Sequence, residues 1–156
     1  MTASKKILAS IVATLLVAVT VVSVLLFRQQ SLASCLIGSW RSRSAVATTT
    51  IDGHATTNTI AGLRLRYLAN GTTEQFYTDA IARLDGDMSP LSGAVTYEYR
   101  LRLDRVTYTN GRGPDQSPER DYAETAQCRG DELTLVGTID YEHDSHTTWT
   151  TLLSRT

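Results

Sequence analysis

From Val95 to Leu103 apolar and polar residues alternate without a break: Val95, Tyr97, Tyr99, Leu101 and Leu103 against Thr96, Glu98, Arg100 and Arg102. Successive side chains of an extended strand point to opposite faces, so this spacing predicts a strand with one buried and one wet face. A helix would scatter the same residues around its cylinder. The repeat recurs. Leu63, Leu65 and Tyr67 alternate with Arg64 and Arg66, Asn70-Gly71 follows as a tight hairpin pair, and Thr72 to Tyr77 returns. Further on, Leu133, Leu135, Ile139 and Tyr141 alternate with Thr134, Val136, Thr138 and Asp140, and a last strand from about His146 to Arg155 puts Trp149, Thr151 and Leu153 on one face.

Turn chemistry separates these runs: Asp52-Gly53, Asn70-Gly71, Asp85-Gly86-Asp87 through Pro90 and Gly93, Asn110-Gly111 through Pro118, Gly130-Asp131, and His143-Asp144-Ser145. Between them fit about eight strands with no crossover helix, which predicts an all-β, antiparallel, up-and-down arrangement. Closure into a barrel is the simplest way to pair the edge strands. Asn110 to Asp121 reads as one long polar loop, exposed to solvent.

The strands begin only after an element of another kind. Ile7 to Phe27 carries no charge and is bounded by Lys5-Lys6 and Arg28. As a helix it would be about 30 Å long, enough to cross the hydrocarbon layer. Residues 1–6, with two lysines and no acid, are expected to stay in the cytoplasm, 7–27 to span the membrane, 28–35 to form a juncture and 36–156 to fold outside. Three fates are open for the apolar run. It exceeds the usual signal-peptide core, which favours an uncleaved signal anchor. Leu32-Ala33-Ser34-Cys35 is similar to a bacterial lipobox, and Ser31 and Ala33 are the small residues of a cleavage site. Each fate places the domain outside the cytoplasmic membrane, periplasmic or extracellular, and the first two tether it to the bilayer.

That compartment decides the chemistry of the two cysteines. Cys35 and Cys128 stand at opposite ends of the domain, and in an oxidising compartment they are expected to pair. The overall charge of −1 hides an asymmetry, since all 16 acids and 12 of the arginines follow Cys35. A mildly acidic domain with dispersed arginines is a poor match for nucleic acid.

Cys35-Leu36-Ile37-Gly38-Ser39-Trp40, followed by a strand meander and ended by Trp149 to Arg155, resembles the small lipocalin-like domains of bacterial exported proteins. In that family a Gly-x-Trp opens the first strand and an arginine of the last strand packs over the tryptophan. The resemblance therefore implies that Trp40 and Arg155 close one end of the barrel, joining the first strand to the last.

Tyr67, Phe76, Tyr97, Tyr99, Tyr108 and Trp149 are the candidates for the barrel interior, as the wall of a ligand cup or as core filling. Catalytic machinery is not legible: no nucleophile elbow occurs, and only a spatial assembly of Ser39, His54 or Asp104 could supply a nucleophile, base and acid. Asp140, Glu142, His143, Asp144 and His146 read as a polar turn rather than a metal site, because the two histidines are three apart in a loop without a third soft ligand nearby. No cofactor is implied. The expectation is a non-enzymatic, membrane-tethered domain that binds a small apolar or amphipathic molecule. Its competitor is a filled barrel that docks another envelope protein through the Asn110 to Asp121 loop, with an enzyme third.

Overall fold

The computed structural model describes residues 17–18, 20–23, 31–84, 87–141 and 145–156. Within them the chain forms β1 (Gly38–Ile51), β2 (His54–Tyr67), β3 (Thr72–Leu84), β4 (Asp87–Arg102), β5 (Arg105–Arg112), the two-residue β6 (Pro118–Glu119), β7 (Tyr122–Arg129), β8 (Glu132–Asp140) and β9 (His146–Arg155). Every pairing is antiparallel. The sheet runs β4-β3-β2-β1-β9-β8-β7-β5, and β4 also pairs with β5, so the eight long strands close into a barrel. β6 attaches only to the end of β5. Among the described residues no helix is long and apolar enough to cross a membrane. The predicted span over 7–27 lies largely outside the described residues, and the cytoplasmic end over 1–6 wholly so.

The hairpins follow local chemistry. Ile51 pairs with His54 around Asp52-Gly53, both at positive φ (50° and 79°), as the type I′ turn requires. Arg129 pairs with Glu132 around Gly130-Asp131, where only the first central residue is at positive φ, the type II′ pattern. At Asn70-Gly71 only the glycine takes positive φ (84°). The Leu68 carbonyl accepts from the Gly71 N–H at 3.1 Å, making a three-residue loop rather than the expected tight pair.

Leu103 departs from its expected place on the strand face. It is the first central residue of the β4–β5 turn, at φ 58° and 54% exposed. A glycine would meet that geometry without the clash an L side chain suffers. Leu103→Gly is therefore expected to raise stability by about 0.5 to 1 kcal/mol, seen as a higher urea midpoint at unchanged slope. A lower midpoint would mean that the leucine side chain contributes packing that outweighs the backbone strain.

Bulges reset which residues face inward. On β1, Trp40 is buried, but after the shift between Ser42 and Ser44 the inward residues are Ala45 and Ala47. On β2, Gly62 at φ 80° sits in the shift between Ala61 and Leu63, so Leu63, Leu65 and Tyr67 point in on one side of it and Ile60 on the other.

The two ends of the barrel differ. Residues 31–36 form a short helical segment at the end holding the 68–71, 103–104 and 130–131 turns. Leu36 is fully buried there, with Trp40, Tyr67, Val106, Leu133 and Leu153, and Leu32 packs against the same cluster. Residues 31–35, expected to be only a juncture, thus belong to the plug of the barrel. Arg155 lies over the Trp40 ring at 4.5 Å and donates to the Cys35 carbonyl at 2.7 Å and the Ile37 carbonyl at 3.2 Å. The Trp40 indole N–H donates to the Leu36 carbonyl at 2.9 Å. Gly38, at φ 139°, makes room, since a Cβ there would lie 2.6 Å from the Arg155 guanidinium. Cys35 and Cys128 are joined as a disulfide, with Cα atoms 6.4 Å apart.

Candidate functional site

Opposite the plug the barrel holds a cavity of about 360 Å3. Its apolar wall comes from the inward positions after the two bulges, Ala45, Ala47 and Ile60, together with Leu63, Leu135 and Ile139. Its aromatic wall is Tyr77, Tyr97, Tyr122 and Trp149, with Tyr141 at the rim.

Two glycines let those rings lie where they do. Glu124, Gly137 and Trp149 are register partners in one row across β7, β8 and β9. A Cβ on Gly137 would fall 2.1 Å from the Trp149 ring, so the indole lies across the glycine and reaches Glu124 with its N–H. A Cβ on Gly111 would meet the Tyr97 ring at 2.4 Å. Large side chains at either position would displace an aromatic wall residue.

Beneath the cavity the rings form a continuous cluster. Tyr108 stacks on Tyr122 with centroids 4.3 Å apart, and Tyr97 meets Tyr122 edge-on at 5.3 Å. Their polar ends are joined. The Tyr67 and Tyr108 hydroxyls are hydrogen-bonded to each other, Gln75 donates to the Tyr122 hydroxyl, and Tyr77 donates to Gln75 at 3.4 Å. Burial pushes the Tyr67, Tyr108 and Tyr122 phenols well above their ordinary range, so all three stay neutral donors and acceptors.

Among the described residues Glu124 is the one buried carboxylate. It is 6% exposed, accepts from the Trp149 indole N–H, and is also hydrogen-bonded by Tyr108. Burial raises its carboxyl above the ordinary value, and the two hydrogen bonds pull back less than burial pushes. Among the described residues no cationic side chain pairs with it.

The expected long loop is a lid hairpin. The Gly113 N–H donates to the Ser117 carbonyl at 2.9 Å, and Gly111 and Arg112 pair with Glu119 and Pro118. This fold-back brings Glu119 and Arg120 to the cavity mouth. Arg120 is held there by the Asp140 carbonyl at 3.1 Å and by the Tyr141 ring at 5.0 Å.

The sequence-derived candidates thus separate. Tyr97 and Trp149 line the cavity. Tyr67 and Tyr108 are fully buried beneath it, and Tyr99 packs edge-on against Tyr67 with its hydroxyl on the Leu68 carbonyl at 2.9 Å. These three fill the core.

Phe76 must be corrected: Thr73 and Gln75 are the buried residues of β3, so Phe76 is on the outer face, lining a shallow hollow with Arg64 and Arg66. Glu124, Tyr122 and Tyr77 were missed. The available signal was that Tyr122, Glu124, Ala126 and Cys128 share one parity, and Cys128 is expected to face its partner. Ser39 and Asp104 lie at the plugged end and His54 at the turn beyond the open end, so they assemble no catalytic group. Asp140 pairs with His146 in the β8–β9 ladder, while Glu142, His143 and Asp144 lie outside the described residues.

The fold and site define an all-β, antiparallel closed barrel, plugged at one end by a disulfide-anchored segment and hollow at the other. The sequence matches no protein-family model, and no curated protein matches it significantly.

Proposed function

We propose that this is a membrane-tethered, exported lipocalin-like domain whose barrel binds a small apolar or amphipathic molecule without transforming it. The observation that carries the reading is the aromatic-walled cavity of about 360 Å3, within the size range of small-molecule sites and lined mainly by apolar and aromatic groups with a few convergent polar ones. The lipocalin-like assignment draws support from Gly38-Ser39-Trp40 at the start of β1 and Arg155 stacked on Trp40. The tether rests on the uncharged run from Ile7 to Phe27.

Native mass spectrometry of the chain extracted from its own membrane tests the reading directly. A stoichiometric extra mass, removed by denaturation, is expected. A bare chain in repeated preparations would move the weight to the docking module, with the lid hairpin as its contact. Two alanine substitutions separate the cup from its support. Tyr97→Ala opens the cavity wall and is expected to weaken retention at least several-fold beyond its effect on stability. Tyr99→Ala, outside the cavity, is expected to destabilise by about 3 kcal/mol with retention by the folded fraction unchanged.

A further inference from the structure

Three features of the cavity point to the charge of its occupant. First, Glu124 lines the wall at 6% exposure and, among the described residues, takes neutral donors, the Trp149 N–H and the Tyr108 hydroxyl. A carboxylate has about four lone-pair sites, so two neutral bonds leave acceptor capacity for whatever fills the cavity. A buried carboxylate without a cation is costly, and a positive charge beside it would remove most of that cost.

Second, the described rim residues supply no net positive charge, since Glu119 offsets Arg120. Arg120, the cation at the mouth, is engaged by the Asp140 carbonyl and the Tyr141 ring, while Glu119 adds a second negative group among the lining residues. Burial first, and Glu119 and Glu124 after it, raise the phenol of Tyr77 beside them. Third, the walls are indole and phenol rings, whose faces attract cations.

We propose that the occupant is a small organic cation, an ammonium on an apolar body, held with its charge at Glu124 and its body among Tyr97, Tyr122 and Trp149. This rests on the barrel being a binding cup and names what the cup takes. An anionic guest would meet two carboxylates against one guanidinium among the described lining residues. A neutral apolar guest would fill the volume but leave Glu124 uncompensated.

The test uses three probes on one carbon skeleton, phenylpropylamine, phenylpropanol and phenylpropionate. They are titrated calorimetrically into the full-length chain in lipid nanodiscs, with empty nanodiscs as blank. Mildly alkaline buffer keeps the amine protonated and favours the charged form of Glu124, whose carboxyl is raised by burial. The amine is expected to bind about tenfold or more tighter than the alcohol, and the propionate weakest. Glu124→Gln, which keeps the shape and can still accept from Trp149, is expected to bring the amine to within about threefold of the alcohol.

Equal or tighter binding of the alcohol or the propionate overturns the proposal, as does an amine preference that survives Glu124→Gln. The first comparison needs only the unmodified chain, so a variant that fails to fold does not remove it. The cup and its charge preference fail differently. Binding of the wrong probe refutes the cation while leaving the cup, whereas no binding of any probe, together with a bare chain in native mass spectrometry, refutes both.

Discussion

Reduction of the Cys35–Cys128 bridge is expected to lower stability by up to about 4 to 5 kcal/mol, the loop-closure value for a loop of this length. The two residues are 93 apart in sequence, so the bridge constrains almost the whole barrel in the unfolded chain. It also has a local role. Cys35 lies within the segment that carries Leu32 and Leu36 into the barrel, and Cys128 pairs with Leu133 in the β7–β8 ladder, so the bond staples the plug to the wall. Urea unfolding with and without reductant, beside a Cys35→Ser/Cys128→Ser double variant, measures the effect. Free labelling of both thiols in the folded, unreduced chain would show that no bridge exists. A sulfur in this bridge cannot also carry a thioether-linked lipid. In the bridged chain, therefore, the lipobox-like Leu32-Ala33-Ser34-Cys35 cannot be used as a lipidation site.

Trp40→Ala is expected to cost about 3 to 5 kcal/mol, the range for deleting a buried aromatic ring. Trp40 is 1% exposed, its indole N–H holds the Leu36 carbonyl, and Arg155 covers its face. Deletion would leave a void under the plug and release a cation that ties the first strand to the last. The stacking part can be isolated by a double-mutant cycle with Arg155→Gln, where a coupling of about 0.5 to 2 kcal/mol is expected. Trp40→Phe keeps a ring but loses the N–H, and should fall between wild type and alanine. A loss below about 1 kcal/mol for Trp40→Ala would mean that the plug is held by the disulfide and Leu36 alone.

How much of this was legible in the chain depended on whether period two held. From Val95 to Leu101 it does, and the inward face of β4 is the one that the alternation predicts. At Leu103 it fails because the turn takes that residue at positive φ. At Gly62 and at Ser42 to Ser44 a bulge adds one residue and reverses the parity of everything beyond it, which hides the cavity wall of Ala45, Ala47 and Ile60 from a simple count.

Phe76 was misplaced for another reason. β3 turns Thr73 and Gln75 inward, where Gln75 serves the hydrogen-bonded ring cluster, and so hydropathy ranks the wrong face as buried. Glu124 escaped the same way. A single acid on a strand of mixed composition reads as solvated unless its parity with Cys128 is followed, and the register with Gly137 and Trp149 fixes its place. Trp40 and Arg155 needed no such help, because their pairing rests on the two ends of the chain segment and not on any bulge between them.

The direction in which the chain enters the barrel sets what the cavity can see. Residue 31 begins the plug, so any membrane anchor before it is attached at the sealed base, and the mouth lined by Glu119, Arg120 and Tyr141 is at the far end. A tethered barrel would be attached at its plugged end, with its opening at the opposite one. Whatever enters the cavity would then do so at the end opposite the attachment point, where Glu119, Arg120 and Tyr141 meet it first.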